Sequence, residues 1–209
     1  MSNGSYDRMM RLFGGVWFLL LALCVAIKTG ASLTDSWPSL LSSFCLASFY
    51  MLVALLIMTR LPAKAHADGL LPRIAAFVGS YLPWTITFVG KTDQALPNLA
   101  STACVLMGTI MMLVAVRHLG RSFSVVPQAR SVVQTGPYRR IKHPLYFAEE
   151  IVVLGVVLQY LTPVTVIVLV LHVGVQVCRI RYEEDLLRRN CPEYSGYEAS
   201  RWRLVPYVW

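Results

Sequence analysis

The sequence predicts an all-α, polytopic integral membrane protein: a bundle of about six spanning helices that includes a C-terminal helical hairpin. Of the 209 residues, 56% are hydrophobic and 14% are charged, whereas soluble domains carry roughly 25% charged residues. The hydrophobic residues also form uninterrupted stretches, each close to the ~20 residues that a helix needs to cross a bilayer. These two observations exclude a soluble globular domain.

The apolar stretches place the predicted helices along the chain. The last stretch, Leu145 to Val177, is long enough for two crossings and is interrupted between Gln159 and Pro163. Because proline suits the first turn of a new helix, we expect two antiparallel helices joined by a tight turn. The other stretches each predict one span: Leu12–Ile27, Leu40–Met58, Ile74–Gly90 and Leu96–Val116.

The basic residues predict the orientation of the bundle. With six spans and a cytoplasmic amino terminus, 17 of the 19 lysines and arginines fall on the cytoplasmic side, as the positive-inside rule requires. The exceptions, Lys28 and Lys91, each have an aspartate nearby, Asp35 and Asp93. We therefore expect both termini in the cytoplasm, and we attribute the net charge of +8 to contact with anionic lipid headgroups rather than with nucleic acid.

The composition divides the chain near residue 116. Residues 1–116 hold four predicted spans and few other features. Residues 117–209 hold a basic loop, the helical hairpin, a helical extension of the last span that ends at Pro192, and a tail rich in Tyr, Trp and Arg. The five cysteines show neither disulfide nor zinc-ligand spacing, so we expect no metal site. The oligomeric state is left open.

Two polar clusters flank the predicted hairpin. Because helices joined by a short turn are antiparallel neighbours, both clusters should meet at the cytoplasmic side. Ionisable groups at membrane depth are costly, and they are usually functional or paired. The clusters are His143, Tyr146, Glu149 and Glu150 at the start of the fifth span, and Arg179, Glu183 and Glu184 at the end of the sixth.

Simpler roles are expected for several neighbouring residues. Arg139, Arg140 and Lys142 have the composition of interface anchors, which commonly flank spans. His172 and Gln176, inside the sixth span, are expected to form hydrogen bonds between helices rather than to act on a substrate.

The second half of the chain resembles the isoprenylcysteine carboxyl methyltransferases and the related phospholipid methyltransferases, which are integral membrane enzymes. The resemblance runs from about Arg117 to Pro206. Lys142 stands where these enzymes usually have Arg, and Cys191-Pro192 where many have Phe-Gly. The matching motifs are Leu119-Gly120-Arg121-Ser122-Phe123, Gly136-Pro137-Tyr138, His143-Pro144-Leu145-Tyr146, Arg179 with Glu183-Glu184, Tyr194 with Tyr197, and Arg203 with Pro206.

The resemblance implies methyl transfer from S-adenosyl-L-methionine, bound at the cytoplasmic side without a Rossmann fold, to a lipidic or prenyl-like acceptor. It implies that Glu184, Arg203 and Glu150 serve catalysis: an amine acceptor would need a general base, for which Glu184 and Glu150 are candidates, and Arg203 closes the site. The resemblance further implies that Tyr197 and Glu149 lie near the acceptor and help to position it. The implied cofactor-binding residues are Gly136, Tyr138, His143, Tyr146, Arg179, Glu183 and Glu184.

Two other functions stay open at this point. Membrane sterol reductases that use NADPH have a related architecture, but their first motif resembles His-x-Asn-Tyr, whereas Pro144 and Leu145 stand here. A non-catalytic scaffold or transport subunit is the second alternative. Charges within broken spans would support transport, but the charged residues of this chain cluster at one face. The acceptor group, whether carboxylate, amine or thiol, is not predicted.

Overall fold

The computed structural model describes residues 3–31, 37–88 and 95–209. Its described part contains seven α-helices: α1 (Asn3–Ala31), α2 (Trp37–Thr59), α3 (Leu71–Tyr81), α4 (Ala95–Leu119), α5 (Pro144–Gln159), α6 (Pro163–Asn190) and α7 (Tyr194–Ala199). Three 3-10 segments span Leu82–Phe88, Gly120–Ser122 and Gly136–Arg139. Two short antiparallel strands, β1 (Ala65–His66) and β2 (Gln128–Ala129), pair the loop after α2 with the loop after α4.

The described part of every predicted span is helical, with one change of helix type. The predicted span Ile74–Gly90 begins as α3 and changes to a 3-10 helix at Leu82. Pro83 follows at once, and a proline lacks the amide that an α-helix would use there. Asp35, Lys91 and Asp93, which entered the prediction of orientation, lie outside the described residues.

Three of the described helices are long and apolar enough to cross a membrane: Arg11–Gly30, Leu99–Ser122 and Pro163–Asn190. The segment Ser43–Thr59 is a shorter apolar helix. Large apolar side chains cover the outside of the bundle; Phe13 is 70% exposed and Val170 is 66% exposed. Such a surface suits lipid rather than water, and the chain is an integral membrane protein. The count of six spans and the cytoplasmic position of the termini stay predictions.

The predicted hairpin is confirmed. Helix α5 ends at Gln159 and α6 begins at Pro163. Thr162 caps α6: its side chain accepts a hydrogen bond from the Thr165 amide at 3.2 Å, and its own amide donates to Thr165 Oγ1 at 3.0 Å. This reciprocal pair satisfies two amides that the first turn of a helix otherwise leaves unpaired. Helix α6 then continues without a break to Asn190.

Small residues let α4 and α5 pack closely. A Cβ atom on Gly108 of α4 would lie 2.7 Å from Val152 Cγ2 and 2.9 Å from the Ala148 oxygen. A Cβ atom on Gly155 of α5 would lie 2.9 Å from Cys104 Cβ. Since dispersion and close backbone approach drive helix association in lipid, these two glycines fix α5, and with it the polar residues at its start.

The C-terminal tail returns to the loop that precedes α5. The amides of Lys142 and His143 donate to the carbonyls of Trp202 and Arg203 at 2.8 and 3.0 Å. Ile141 and Trp202 form a parallel bridge. The chain therefore brings three separate segments together at one end of the bundle: the α4–α5 loop, the end of α6 and the tail.

Candidate active site

A cavity extends from this polar end into the apolar part of the bundle. Side chains of α1, α2, α3 and α4 line its apolar arm, and the loop before α5 together with α5 and α6 forms its polar end. The polar end is lined by Tyr138, Lys142, His143, Tyr146, Glu149, Arg179 and Glu183. The arm is lined by Trp17, Phe18, Leu21, Leu46, Phe49, Tyr50, Tyr81 and Trp84, among others. One cleft thus offers a charged, hydrogen-bonding region next to an aromatic, apolar one.

Helix α6 presents Gln176, Arg179 and Glu183 toward α5 because residues three and four positions apart share a face of a helix. The buried Arg179 guanidinium donates to Gln176 Oε1 at 2.8 Å and lies 3.4 Å from Glu149 Oε2. Gln176 donates to the same Glu149 oxygen at 2.7 Å. The charge of Arg179 is therefore held at a fixed place at the edge of the cavity.

His143 and Tyr146 form the second part of the polar end. Their rings are nearly parallel, with centroids 5.6 Å apart, and the Arg179 guanidinium lies over the Tyr146 ring at 4.7 Å. The Tyr146 hydroxyl donates to Glu183 Oε2 at 2.9 Å. Glu183 itself has a side chain that is 34% exposed. A carboxylate, an imidazole, a phenol and a guanidinium therefore converge here, as the sequence predicts.

Two buried polar atoms at the cavity wall have no hydrogen-bond partner among the described residues: the Tyr138 hydroxyl and Arg179 Nε. Tyr138 is 5% exposed. Burial and the nearby Glu183 carboxylate raise the pKa of Tyr138 well above its ordinary value of 10, so the phenol keeps its proton as a donor at neutral pH. Since unpaired buried polar groups are costly, a polar ligand that reached these two atoms would be stabilised by pairing with them.

Glu184 is placed differently from its neighbour Glu183. It is 1% exposed and does not line the cavity. Its carboxylate contacts Lys142 at 2.8 Å, His143 at 3.3 Å, Arg203 at 2.9 Å and Arg188 at 3.2 Å. These are cationic or ring nitrogens from three separate segments of the chain. Glu184 is thus the centre of a buried ionic network.

The tail residues Tyr197 and Arg203 hold the loop rather than line the cavity. The Tyr197 hydroxyl donates to the Tyr138 carbonyl at 2.8 Å, and burial raises the pKa of Tyr197 to about 12. Arg203 donates to Glu184, as described above. A second carboxylate, Glu198, accepts from Arg188 at 2.6 and 2.8 Å, and this guanidinium lowers the pKa of Glu198 below its ordinary value of 4.5.

Two further predicted site residues lie outside the cavity lining. Gly136, with φ of +56°, packs so close to His118 that a Cβ atom would overlap the imidazole ring. Glu150 faces His172, whose Nδ1 lies 2.9 Å from Glu150 Oε1, while His172 Nε2 donates to the Gly79 carbonyl at 2.9 Å. The prediction that His172 and Gln176 bond between helices is confirmed, since their partners lie on α3 and α5.

The structure corrects the prediction for Lys142 and adds residues that the sequence did not single out. Arg139 and Arg140 are exposed, as expected of interface anchors. Lys142 is 7% exposed and pairs with Glu184 instead, because the returning tail covers it. Glu198 and Gly79 were missed. Gly79 leaves room for Arg179, whose Cδ would lie 2.7 Å from a Cβ atom at that position.

Comparison with known proteins identifies the segment that carries most of this site. Residues 97–193 match the family model of the phospholipid methyltransferases. No curated protein and no solved structure matches the chain significantly. The match takes in most of α4, of which the motif resemblance included only the end from about Arg117, and it stops before Tyr197 and Arg203 of the tail. Residues 97–193, which include most of α4, the basic loop and the helical hairpin, are therefore similar to the membrane methyltransferases of the phospholipid methyltransferase family.

Proposed function

We propose that the chain is an S-adenosyl-L-methionine-dependent methyltransferase that acts on a lipidic or isoprenoid-linked acceptor. The observation that carries the proposal is the continuous cavity, whose polar end is built from methyltransferase-family residues and whose apolar arm reaches into the bundle. The family match weighs against the reductase and the scaffold alternatives.

The residues at the polar end fit the cofactor. It has a carboxylate, an ammonium, a positive sulfonium, ribose hydroxyls and an adenine. The unpaired Tyr138 hydroxyl and Arg179 Nε are donors for the carboxylate or the ribose. Glu183 and Glu149, which both line the cavity, are acceptors for the ammonium, and their charge favours a nearby sulfonium.

When bound, the cofactor supplies an electrophilic methyl group. The chain's own contribution to such a displacement is alignment and exclusion of water. Arg179 is fixed by Gln176 and Glu149, and Tyr146 is fixed by Glu183, so the polar end is organised before a ligand arrives. A carboxylate or thiolate acceptor needs no base. For an amine acceptor, Glu149 and Glu183 are the carboxylates at the cavity.

The apolar arm supports a hydrophobic acceptor. Its aromatic walls include Trp17 and Tyr81, whose rings meet edge to face at 6.2 Å, and Phe18 and Tyr50, whose centroids are 6.1 Å apart. These walls come from α1, α2 and α3, which precede the matched segment. An acceptor with an apolar chain would place that chain in the arm and its reactive group at the polar end.

Calorimetric titration of the purified protein in detergent tests the reaction class. S-adenosylmethionine and its demethylated product are each expected to bind, whereas NADPH is not. Arg179→Met should abolish the binding heat, and Arg181→Met, an exposed arginine two residues away on α6, should leave it unchanged. Binding of NADPH alone would replace this proposal with the reductase.

A further inference from the structure

Glu184 uses the whole acceptor capacity of its carboxylate within the protein. Oε1 lies 2.8 Å from Lys142 Nζ, 3.3 Å from His143 Nε2 and 3.2 Å from Arg203 Nε. Oε2 lies 2.9 Å from Arg203 Nε and 3.2 Å from the Arg188 guanidinium. A carboxylate offers about four lone-pair positions, so no acceptor position of Glu184 is left for a ligand.

Burial explains why this network is needed and what its loss would do. A carboxylate with 1% exposure is tolerated only when nearby charges and hydrogen bonds compensate for the lost hydration. Removing the negative charge would leave Lys142, which is 4% exposed in its side chain, and the arginines Arg188 and Arg203 around one remaining carboxylate, Glu198. Mutual repulsion would then separate the tail from the loop.

The tail held by this network is also attached to the two loop residues that face the cavity. The His143 amide donates to the Arg203 carbonyl at 3.0 Å. The Tyr138 carbonyl accepts from the Tyr197 hydroxyl at 2.8 Å. Displacement of the tail would therefore free the backbone at Tyr138, inside the 3-10 segment, and at His143, immediately before α5.

We propose that Glu184 is a positioning residue: it clamps the tail, residues 197–203, against the loop of residues 138–143 and so holds Tyr138 and His143 at the cavity. Glu183, one residue earlier, is the carboxylate that faces the ligand. The clamp itself follows from contacts within the protein, and its effect on ligand binding rests on the proposed function.

Hydrogen–deuterium exchange of the ligand-free full chain in detergent tests the clamp. The readout is the peptide covering residues 138–146, which contains the two amides bonded to the tail. Glu184→Gln and Arg203→Met are expected to raise its exchange rate roughly tenfold. Arg203→Lys, which keeps a cation, should restore most of the protection. Glu183→Gln should exchange like the wild type, since Glu183 contacts Tyr146 and not the tail.

Titration of the same variants with S-adenosylmethionine completes the test. Glu184→Gln and Arg203→Met are both expected to weaken binding on the order of tenfold, because both displace the loop. Weakened binding in Glu184→Gln with a fully protected loop would make Glu184 a direct ligand contact and overturn the clamp. The Arg203 side chain is 34% exposed, so its replacement disturbs the folded protein less than replacement of the buried Glu184. If Glu184→Gln fails to fold, Arg203→Met is the variant that tests the clamp.

The clamp and the proposed function fail in different ways. If the wild type binds no S-adenosylmethionine, the proposed function is wrong, but the exchange rates still decide whether Glu184 holds the tail. If the wild type binds the cofactor and no variant alters exchange in residues 138–146, the clamp is wrong and the proposed function stands.

Discussion

Glu183 and Glu184 are adjacent on α6, yet Glu183 lines the cavity while Glu184 is buried between the tail and the loop. Consecutive residues on an α-helix point about 100° apart, so two identical side chains face two different environments. The relationship divides the acidic pair into a ligand-facing carboxylate and a structural one. The predictions below follow from this division and from the shape of the cavity.

Replacement of Glu183 by Gln should impair turnover while the protein stays folded. The amide oxygen of Gln can still accept from Tyr146, whose bond to Glu183 measures 2.9 Å, but the charge that faces the ligand is lost. We expect kcat/KM to fall about tenfold or more, because hydrogen bonds to charged groups contribute about 1.5–3 kcal/mol. The exposed neighbour Asp185→Asn is the matched control. Equal activity of Glu183→Gln and wild type would contradict the assignment.

Tyr138→Phe should weaken cofactor binding without loss of stability. The Tyr138 hydroxyl has no hydrogen-bond partner within the described part of the chain, so its removal costs the folded protein little. A lost neutral hydrogen bond to the ligand corresponds to about 1 kcal/mol, or about a fivefold rise in Kd. Calorimetry and thermal unfolding in detergent measure the two effects.

Tyr194→Phe is the control for that substitution. The Tyr194 hydroxyl is the other buried phenol without a partner in the described chain, and Tyr194 packs in a cluster with Leu186 and Cys191, away from the cavity. We expect both the Kd and the melting temperature of Tyr194→Phe to match the wild type. A rise in Kd for both variants alike would remove the argument for Tyr138.

The contact between α4 and α5 should be sensitive to one added methyl group. Gly155→Ala would bring Cβ to 2.9 Å from Cys104 Cβ and from the Ser101 oxygen. We expect a loss of about 1–3 kcal/mol in stability, as for other overpacked sites. Gly174→Ala on α6, where a Cβ atom meets nothing within 4 Å, should be tolerated. Thermal unfolding in detergent separates the two; equal melting temperatures would contradict the close packing.

A bulky residue in the apolar arm should affect the acceptor and not the cofactor. Leu46 of α2 lines the arm, and Leu46→Trp would fill it. We expect kcat/KM for a long-chain acceptor to fall roughly tenfold, since one or two lost methylene contacts are worth about 1–3 kcal/mol. The Kd for S-adenosylmethionine should be unchanged. Leu41→Trp, on the exposed face of the same helix, serves as the control; reduced cofactor affinity in Leu46→Trp would place the cofactor in the arm.

The residues of the polar end were predictable because their signals are local. His143 and Tyr146 lie within one turn at the start of α5, Arg179 and Glu183 are four apart on α6, and the hairpin must bring these ends together. The proline at position 163 marked the turn. The spacing of these residues along the chain and the geometry of an α-helix were sufficient to predict that part of the site.

The role of the tail was not predictable from local signals. The parallel bridge between Ile141 and Trp202 joins residues about 60 positions apart, and it is this pairing that buries Lys142 and surrounds Glu184. Nothing near Glu184 in the sequence distinguishes it from Glu183. The rotation of α6 relative to the tail decides which carboxylate faces the cavity.

The residues that line the apolar arm could not be predicted from the sequence, for a different reason. In a bilayer, lipid-facing and cavity-facing residues are equally apolar, because lipid chains are as apolar as a leucine side chain. Leu46 lines the arm and Leu41 faces outward. Both are leucines in the same apolar stretch, so the sequence does not distinguish them. Only the packing of α1, α2 and α3 separates the two faces.

The most direct test of the central claim is transfer of a tritiated methyl group from S-adenosylmethionine to a membrane lipid extract by the purified protein. The account predicts label in the organic-soluble product with the wild type, and a strong loss of label with Glu183→Gln but not with Asp185→Asn. Cofactor binding without any label in the organic phase would contradict a lipidic acceptor. Equal labelling by Glu183→Gln and wild type would contradict the assignment of the cavity as the active site.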